Sequence, residues 1–267
     1  MTRPRTLAWL ALVPALLTAP MARAAAGPPA RALVGPRVAL TDRAGGRIAP
    51  GVYTAQRFVG PVDLEAAGRY QFTDCQVSFN AMFMATARTV LLDHCQTGGI
   101  YFAEGGQFGW ALRFCYVLGG NQGLRPSTGR DGWDVKTPTP FVVEDSIVEI
   151  SSLGTPQAHV EAMQTLGGSD MRFRRVRFIT HGPKTDGVTG QTAAINVLAG
   201  HTLFEDCEFA EAGAYYYTVY CDGPANVFVR CRFGRGAASY LYPTTGARIA
   251  PLLFDCTDLT TGAPVGP

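Results

Sequence analysis

Six polar residues in this chain share one local pattern. Tyr101, Arg125, Gln164, Asn196, Tyr220 and Tyr242 each follow a large apolar residue: Ile100, Leu124, Met163, Ile195, Val219 and Leu241. Successive strand residues face opposite sides, so if the apolar partners point inward these six point outward and stack in a row. The row offers three phenolic hydroxyls, one guanidinium and two carboxamides, with no Lys, Asp or Glu. Flat aromatic faces suit sugar rings, and fixed donors suit hydroxyls and carboxylates. The same residue types also stack on the outside of a β-solenoid for purely structural reasons.

Titratable groups lie close by in sequence. His159 and Glu161 stand just ahead of Gln164, Lys184 and Asp186 share a Gly/Pro-containing loop, and Asp222 follows Tyr220 and Cys221. Arg232 and Arg235 flank a Gly-rich turn near Tyr240. An imidazole titrates near neutrality and suits proton transfer. A single histidine can equally brace a corner by hydrogen bonding.

The elements that would hold these groups follow from a repeated phrase. It reads Phe72-Thr73-Asp74-Cys75-Gln76-Val77 in its first copy and returns around Cys95, Cys115, Ser146, Val176, Cys207, Cys231 and Cys256. The marker positions are 20, 20, 31, 30, 31, 24 and 25 residues apart. Each copy reads as strand, tight polar corner, strand, and buries one side only. Stacked copies bury that side jointly, about 4.8 Å apart. The unequal spacing maps insertions to loops and excludes a strict hexapeptide period. The sequence therefore predicts an all-β, right-handed parallel β-helix, a single-stranded solenoid of about eight to nine coils, with the hand taken from the usual crossover rule.

Arg3, Arg5, the apolar run from Leu7 to Leu17 and Ala22-Arg23-Ala24 read as a cleaved export signal over residues 1–24. Its apolar run is too short to span a membrane, so the expected location is secreted or periplasmic. Residues 25–68 are expected to form the N-terminal cap and first coil, and 69–267 the parallel β-helix. Of 267 residues 16% are charged and the net charge is +2, so composition gives no argument for nucleic acid as a partner. Six of seven cysteines occupy the marker position, where they read as small buried thiols rather than bridges; Cys221 stands outside that ladder. There is no C-x-x-C pair or histidine cluster for zinc.

From Gly119 to Pro251 the chain resembles the exported bacterial pectate-lyase-like parallel β-helix proteins. The likeness rests on Gly123-Leu124-Arg125-Pro126 and His159-Val160-Glu161-Ala162-Met163-Gln164 with Gly167-Gly168. Met171 to Phe178, Ala194-Ile195-Asn196, Tyr217 to Tyr220 and Asn226 to Arg235 complete it. Relatives typically carry Asp where this chain has Glu161, and Asn where it has Asp206, Cys207 or Arg230. The resemblance implies an enzyme acting on an acidic polysaccharide. The clustered aspartates of calcium-dependent members are not visible, so the expected cofactor is none, with calcium the one cation the superfamily suggests.

The chemistry expected on such a polymer is β-elimination. Arg125, Gln164 and Asn196 would hold the uronate carboxylate and the charge developing beside it. His159 would remove the C5 proton, and Tyr220 would protonate the leaving oxygen. Tyr101, Glu161, Lys184, Asp222 and Tyr242 complete the expected substrate contacts. Hydrolysis is the neighbouring alternative and needs two carboxyl groups, for which Glu161 with Asp186 or Asp222 are available. It is the less favoured because the row holds no carboxylate. A non-catalytic glycan-binding or envelope β-helix is the alternative of another class, using the same row without turnover.

Overall fold

A computed structural model describes residues 27–64, 66–80, 88–102, 108–119, 133–135, 141–151, 161–165, 171–181, 193–197, 200–211, 217–221, 223–235, 239–241 and 250–266. Its regular structure is strand apart from one 3-10 turn at Arg31–Leu33. The strands form three parallel sheets of ten, nine and six strands. Sequence neighbours fall in different sheets, and the strands paired within a sheet lie one repeat apart in the chain. This is an all-β, solenoid-like architecture of stacked repeats.

The repeated phrase makes the turn from the nine-stranded to the ten-stranded sheet. In its first copy Gly68–Thr73 is one strand, Asp74 is a corner in the left-handed backbone region, and Gln76–Val77 is the next strand. The same corner recurs at Ala55, His94, Phe114, Asp145, Arg175, Asp206, Arg230 and Asp255, with φ between 49° and 54°. Only one residue per phrase therefore makes the turn. It also continues the ladder: Asp74 N–H donates to Asp93 O at 3.0 Å, and Asp206 N–H to Val229 O at 3.0 Å. Asp and His tolerate this conformation better than Ala, Phe or Arg. At the Phe and Arg corners side chains compensate. Arg175 grips Asp145 at 2.5 and 2.7 Å, Arg230 grips Asp206 at 2.8 and 3.0 Å, and His94 stacks on Phe114 at 4.7 Å.

Inside, the first apolar residue of each phrase stacks in register. Phe173, Phe204 and Phe228 are fully buried, with ring centroids 4.9 and 4.6 Å apart. A second stack, Phe178, Phe209 and Phe233, runs beside it at 5.3 and 5.0 Å and meets it edge to face. All seven cysteines are buried and unbridged. In the ladder each sulfur lies 3.4–3.5 Å from a carbonyl of the preceding repeat, such as Cys95 Sγ to Phe72 O and Cys231 Sγ to Phe204 O. Burial pushes the Cys95 and Cys231 thiols well up, so they stay protonated. Cys221 is buried as well, receiving a hydrogen bond from Asn226 Nδ2 at 3.2 Å.

The segment expected to form the cap and first coil does two different things. Thr41–Ile48, Gly51–Thr54 and Gln56–Leu64 form the first rungs, and Arg43 lies over the rings of Tyr53 and Phe58 at 4.9 and 5.6 Å at that end. Residues 27–40 instead run lengthwise along the outside of the ten-stranded sheet as a strap. Gly27 lies against Arg232 and Glu208, Val34 packs on Tyr116 and Ile147, and Gly35 N–H donates to Phe114 O at 2.9 Å. Arg31 covers the Tyr116 ring at 3.4 Å, and Arg37 clasps Asp74 with Nε and Nη2 at 2.8 and 2.7 Å. At the other end the chain folds back on itself, burying Val265, whose N–H donates to Cys256 O at 2.9 Å.

Candidate functional site

The six-stranded sheet carries the row. Its strands, from one edge to the other, are Ile100–Phe102, Trp133–Val135, Met163–Thr165, Ala193–Val197, Tyr217–Cys221 and Ser239–Leu241. Register pairs Tyr101 with Asp134, Asp134 with Gln164, Gln164 with Asn196 and Asn196 with Tyr220. The apolar partners Ile100, Met163, Ile195 and Val219 are at most 1% exposed and belong to the core. Tyr101, Gln164, Asn196 and Tyr220 thus hold consecutive places in one frame, as the sequence predicts, apart from the second rung.

That rung is a correction. The predicted occupant was Leu124-Arg125, whereas the strand between Tyr101 and Gln164 is Trp133-Asp134-Val135. Pro126 gives the reason: it lacks the N–H an interior strand needs and restricts the residue before it. Trp133 and Val135 suit a strand far better. A 31-residue spacing from Cys115 to Ser146 left room for either choice. The consequence is chemical, because the row now includes an aspartate, and the premise that it holds no carboxylate is overturned.

Burial varies along the row. Gln164 and Tyr220 are half-buried, whereas Asn196 between them is 7% exposed. Every residue of Ala193–Val197 is buried, Ala194 and Asn196 on the outer side included. The centre of this face is therefore enclosed rather than laid open like an ordinary solvated sheet. Among the described residues no group donates to the buried Asn196 Oδ1 atom. Glu161, expected among the substrate contacts, is instead wholly buried at the entry to the Met163 strand, where Ala162 N–H donates to Ala194 O at 2.8 Å. A carboxyl at that depth can position its neighbours but presents no surface to a polymer.

The corner leaving this sheet is also built from buried polar groups. Asn226 is fully buried, accepts from Thr202 N–H at 3.0 Å and donates to Gly223 O at 2.9 Å. Gly200 sits so close to Pro224 that a Cβ there would lie 2.9 Å from its ring and carbonyl. This asparagine bracket is not among the expected site residues; its signal in the sequence is the Gly223-Pro224-Ala225-Asn226 turn after the Tyr217–Cys221 strand.

Other expected contributors fall elsewhere. Arg232 lies on the ten-stranded sheet and pairs with Glu208, which Arg177 also holds at 2.6 Å. Tyr240 packs against the core and donates to Asp258 at 2.8 Å, with Arg235 near its ring at 5.9 Å. Arg125, His159, Lys184, Asp186, Asp222 and Tyr242 lie outside the described residues, and of Tyr101 and Asp134 the backbone register is described. Among the described residues no three His, Cys, Asp or Glu side chains gather as a metal site, and no helix is long and apolar enough to cross a membrane. No family model, curated protein or solved structure matches the chain.

Proposed function

We propose that this chain is an exported carbohydrate-active protein of the pectate-lyase-like kind, a right-handed parallel β-helix of eight to nine coils. Its six-stranded sheet binds a polysaccharide along the row, and it cleaves a uronic-acid-containing polymer by β-elimination. The observation that carries this reading is the unbroken register Tyr101–Asp134–Gln164–Asn196–Tyr220 on one sheet. Rungs repeat about every 4.8 Å, so the row presents stacking surfaces and hydrogen-bonding groups at regular intervals to an extended chain.

In this mechanism Gln164 hydrogen-bonds the uronate carboxylate and the enolate charge that grows on it as the C5 proton leaves. His159 takes that proton, and the half-buried Tyr220 hydroxyl supplies one to the departing glycosidic oxygen. The reaction needs no redox partner, since the electrons of the broken C–H bond form the new double bond and expel the oxygen.

Hydrolysis is a second reading, favoured specifically by Asp134. A row with its own carboxylate can activate water or protonate a leaving group, provided a second carboxyl stands opposite. The deciding experiment incubates the mature protein with alginate, pectate, glucuronan and glycosaminoglycans, with and without calcium. Ultraviolet absorbance reports unsaturated product, and a reducing-end assay reports every cleavage. Absorbance that rises with reducing ends establishes elimination. New reducing ends without absorbance refute elimination and establish hydrolysis, in which case Asp134→Asn should abolish turnover. Binding with neither signal refutes both enzymes and leaves a glycan-binding module.

A further inference from the structure

The outer face of the nine-stranded sheet presents two rows of side chains in register from rung to rung. In the first, Leu91, Ala111 and Val142 are followed by Arg172, Leu203 and Val227. Val52 and Leu252 stand at the two ends, and Gln71 joins Val52 to Leu91. The row is thus apolar apart from Gln71 and Arg172. Val52 and Leu252 are 70% and 50% exposed, and the apolar residues between them are half-buried. On the ten-stranded sheet, by contrast, the outward Ile147 is buried under the strap. Single exposed apolar side chains are ordinary on a protein surface, whereas a contiguous row of them marks an interface.

The second row identifies what covers the first. Asp93, Arg113, Glu144, Arg174 and Glu205 are successive register neighbours, so the charge alternates in sign along the solenoid. A polyanion or an anionic membrane is matched by one sign throughout. An alternating ladder is matched by a surface that carries both signs at the same spacing, about 4.8 Å, in opposite phase. A second copy of this sheet, turned end for end, is such a surface. A two-fold axis along the strands that passes between two rungs sets each charge against its opposite, whereas an axis through a rung sets like against like. Arg174 and Glu205 already lie 3.7 Å apart within the chain, which leaves Arg113 and Glu144 best placed to reach across.

We propose that two copies of this chain associate antiparallel through their nine-stranded sheets, with the two-fold axis between the Arg113 and Glu144 rungs. Arg113 of each copy then faces Glu144 of the other, and Asp93 of each faces Arg174 of the other. In the apolar row Ala111 meets Val142 and Val52 meets Val227. Nine rungs with two outward rows make a strip about 40 Å long and about 10 Å wide. Covering it on both copies removes about 1,000 Å² from water, the lower bound of a specific interface. Association therefore falls in the micromolar range and weakens as salt screens the charged row.

Sedimentation of the mature protein from about 1 to 300 µM should show a monomer passing to a dimer. Arg113→Glu and Glu144→Arg should each weaken association about tenfold or more, because like charges then meet across the axis. Mixing these two variants should restore a dimer, since every reversed charge in the mixed pair again meets an opposite one; a misfolded variant could not be rescued this way. Val142→Asp, a change in the apolar row, should prevent association and should not be rescued by either variant. A wild type still monomeric at about 300 µM would overturn the proposal. A dimer unchanged in all three variants would overturn it by placing the interface elsewhere. Weakening in both charge variants without recovery on mixing would overturn the antiparallel register.

Discussion

Replacing Phe204 by Ala should test whether the solenoid has one continuous core. Phe204 is fully buried, with Phe173 stacked at 4.9 Å on one side and Phe228 at 4.6 Å on the other. Phe209 and Phe178 meet its edge at 5.7 and 6.3 Å. Truncating a buried Phe to Ala costs about 3–5 kcal/mol, and a favourable aromatic pair adds about 0.5–1.5 kcal/mol beyond area. Because both stacked faces are lost, we place the cost near the top of that range, about 4–5 kcal/mol. Phe204→Leu keeps most of the volume but none of the stacking, and should cost about 1–2 kcal/mol. Against a typical total of about 5–15 kcal/mol, the Ala variant loses a large share of its stability. Stacked repeats are coupled mainly to their neighbours, so the defect should also loosen the repeats beyond it from those before it. Urea unfolding followed by circular dichroism and by the fluorescence of buried Trp110, several repeats away, should then give separate transitions in the Ala variant and coincident ones in the wild type. A cost below about 2 kcal/mol for Phe204→Ala, with coincident transitions, would refute the continuous stack.

The strap gives a pH-dependent prediction. Arg37 holds the Asp74 carboxyl below the usual carboxylate range by direct hydrogen bonding, so this stabilisation is complete above the ordinary carboxylate pKa and is lost as the pH falls through the lowered one. Arg37→Ala, with the arginine side chain 53% exposed, should lower stability at neutral pH, with the difference from wild type shrinking in acid unfolding curves. Asp258, held at about 2 by the Thr261 N–H and hydroxyl and then by Tyr240, should behave likewise, and NMR titration of Asp258→Asn and wild type should show the terminal turn loosening between the ordinary range and that value. Ala55 occupies the left-handed corner at φ 53°, so Ala55→Asn should raise stability by about 0.5–1 kcal/mol in thermal unfolding. A disulfide-exchange reagent should label none of the seven buried thiols in the native protein and all seven in denaturant.

The architecture was legible because the phrase that makes it is under the same constraint in every repeat. A residue such as Phe204 must fill a fixed place in the stack, and Cys207 after it must be small enough to sit beneath a carbonyl, which yields the recurring pattern. The corner was legible as a turn but not in detail. Arg175 and Phe114 adopt a left-handed conformation that their residue types disfavour, because partners from neighbouring repeats hold them there. Most of the row was legible from alternation alone. Asp134 was not, since two apolar-polar pairs competed for one rung and only the Pro126 beside Arg125 argued between them. The strap was illegible for a further reason: Arg31, Val34 and Arg37 share no period with the strands they cover, and their partners Tyr116, Ile147 and Asp74 are distant in sequence.

The three faces of the solenoid differ in what their outward residues already do. On the ten-stranded sheet Glu208 is shared by Arg177 and Arg232, Tyr116 donates to Glu149 at 2.8 Å, and the strap lies over the apolar positions between. Where the nine-stranded sheet meets the corner, Arg174 and Arg230 both approach Glu205, and Arg230 also holds Asp206. Those side chains are committed to holding repeats together. The six-stranded sheet is different at its centre, where Asn196 keeps a buried oxygen that no described residue donates to. Stability alone favours an apolar residue at such a place, and the inward positions of the same strand, Ile195 and Val197, are apolar. The proposed polysaccharide-binding face is thus the one whose central outward residues are not committed to ion pairs between repeats, unlike those of the other two faces.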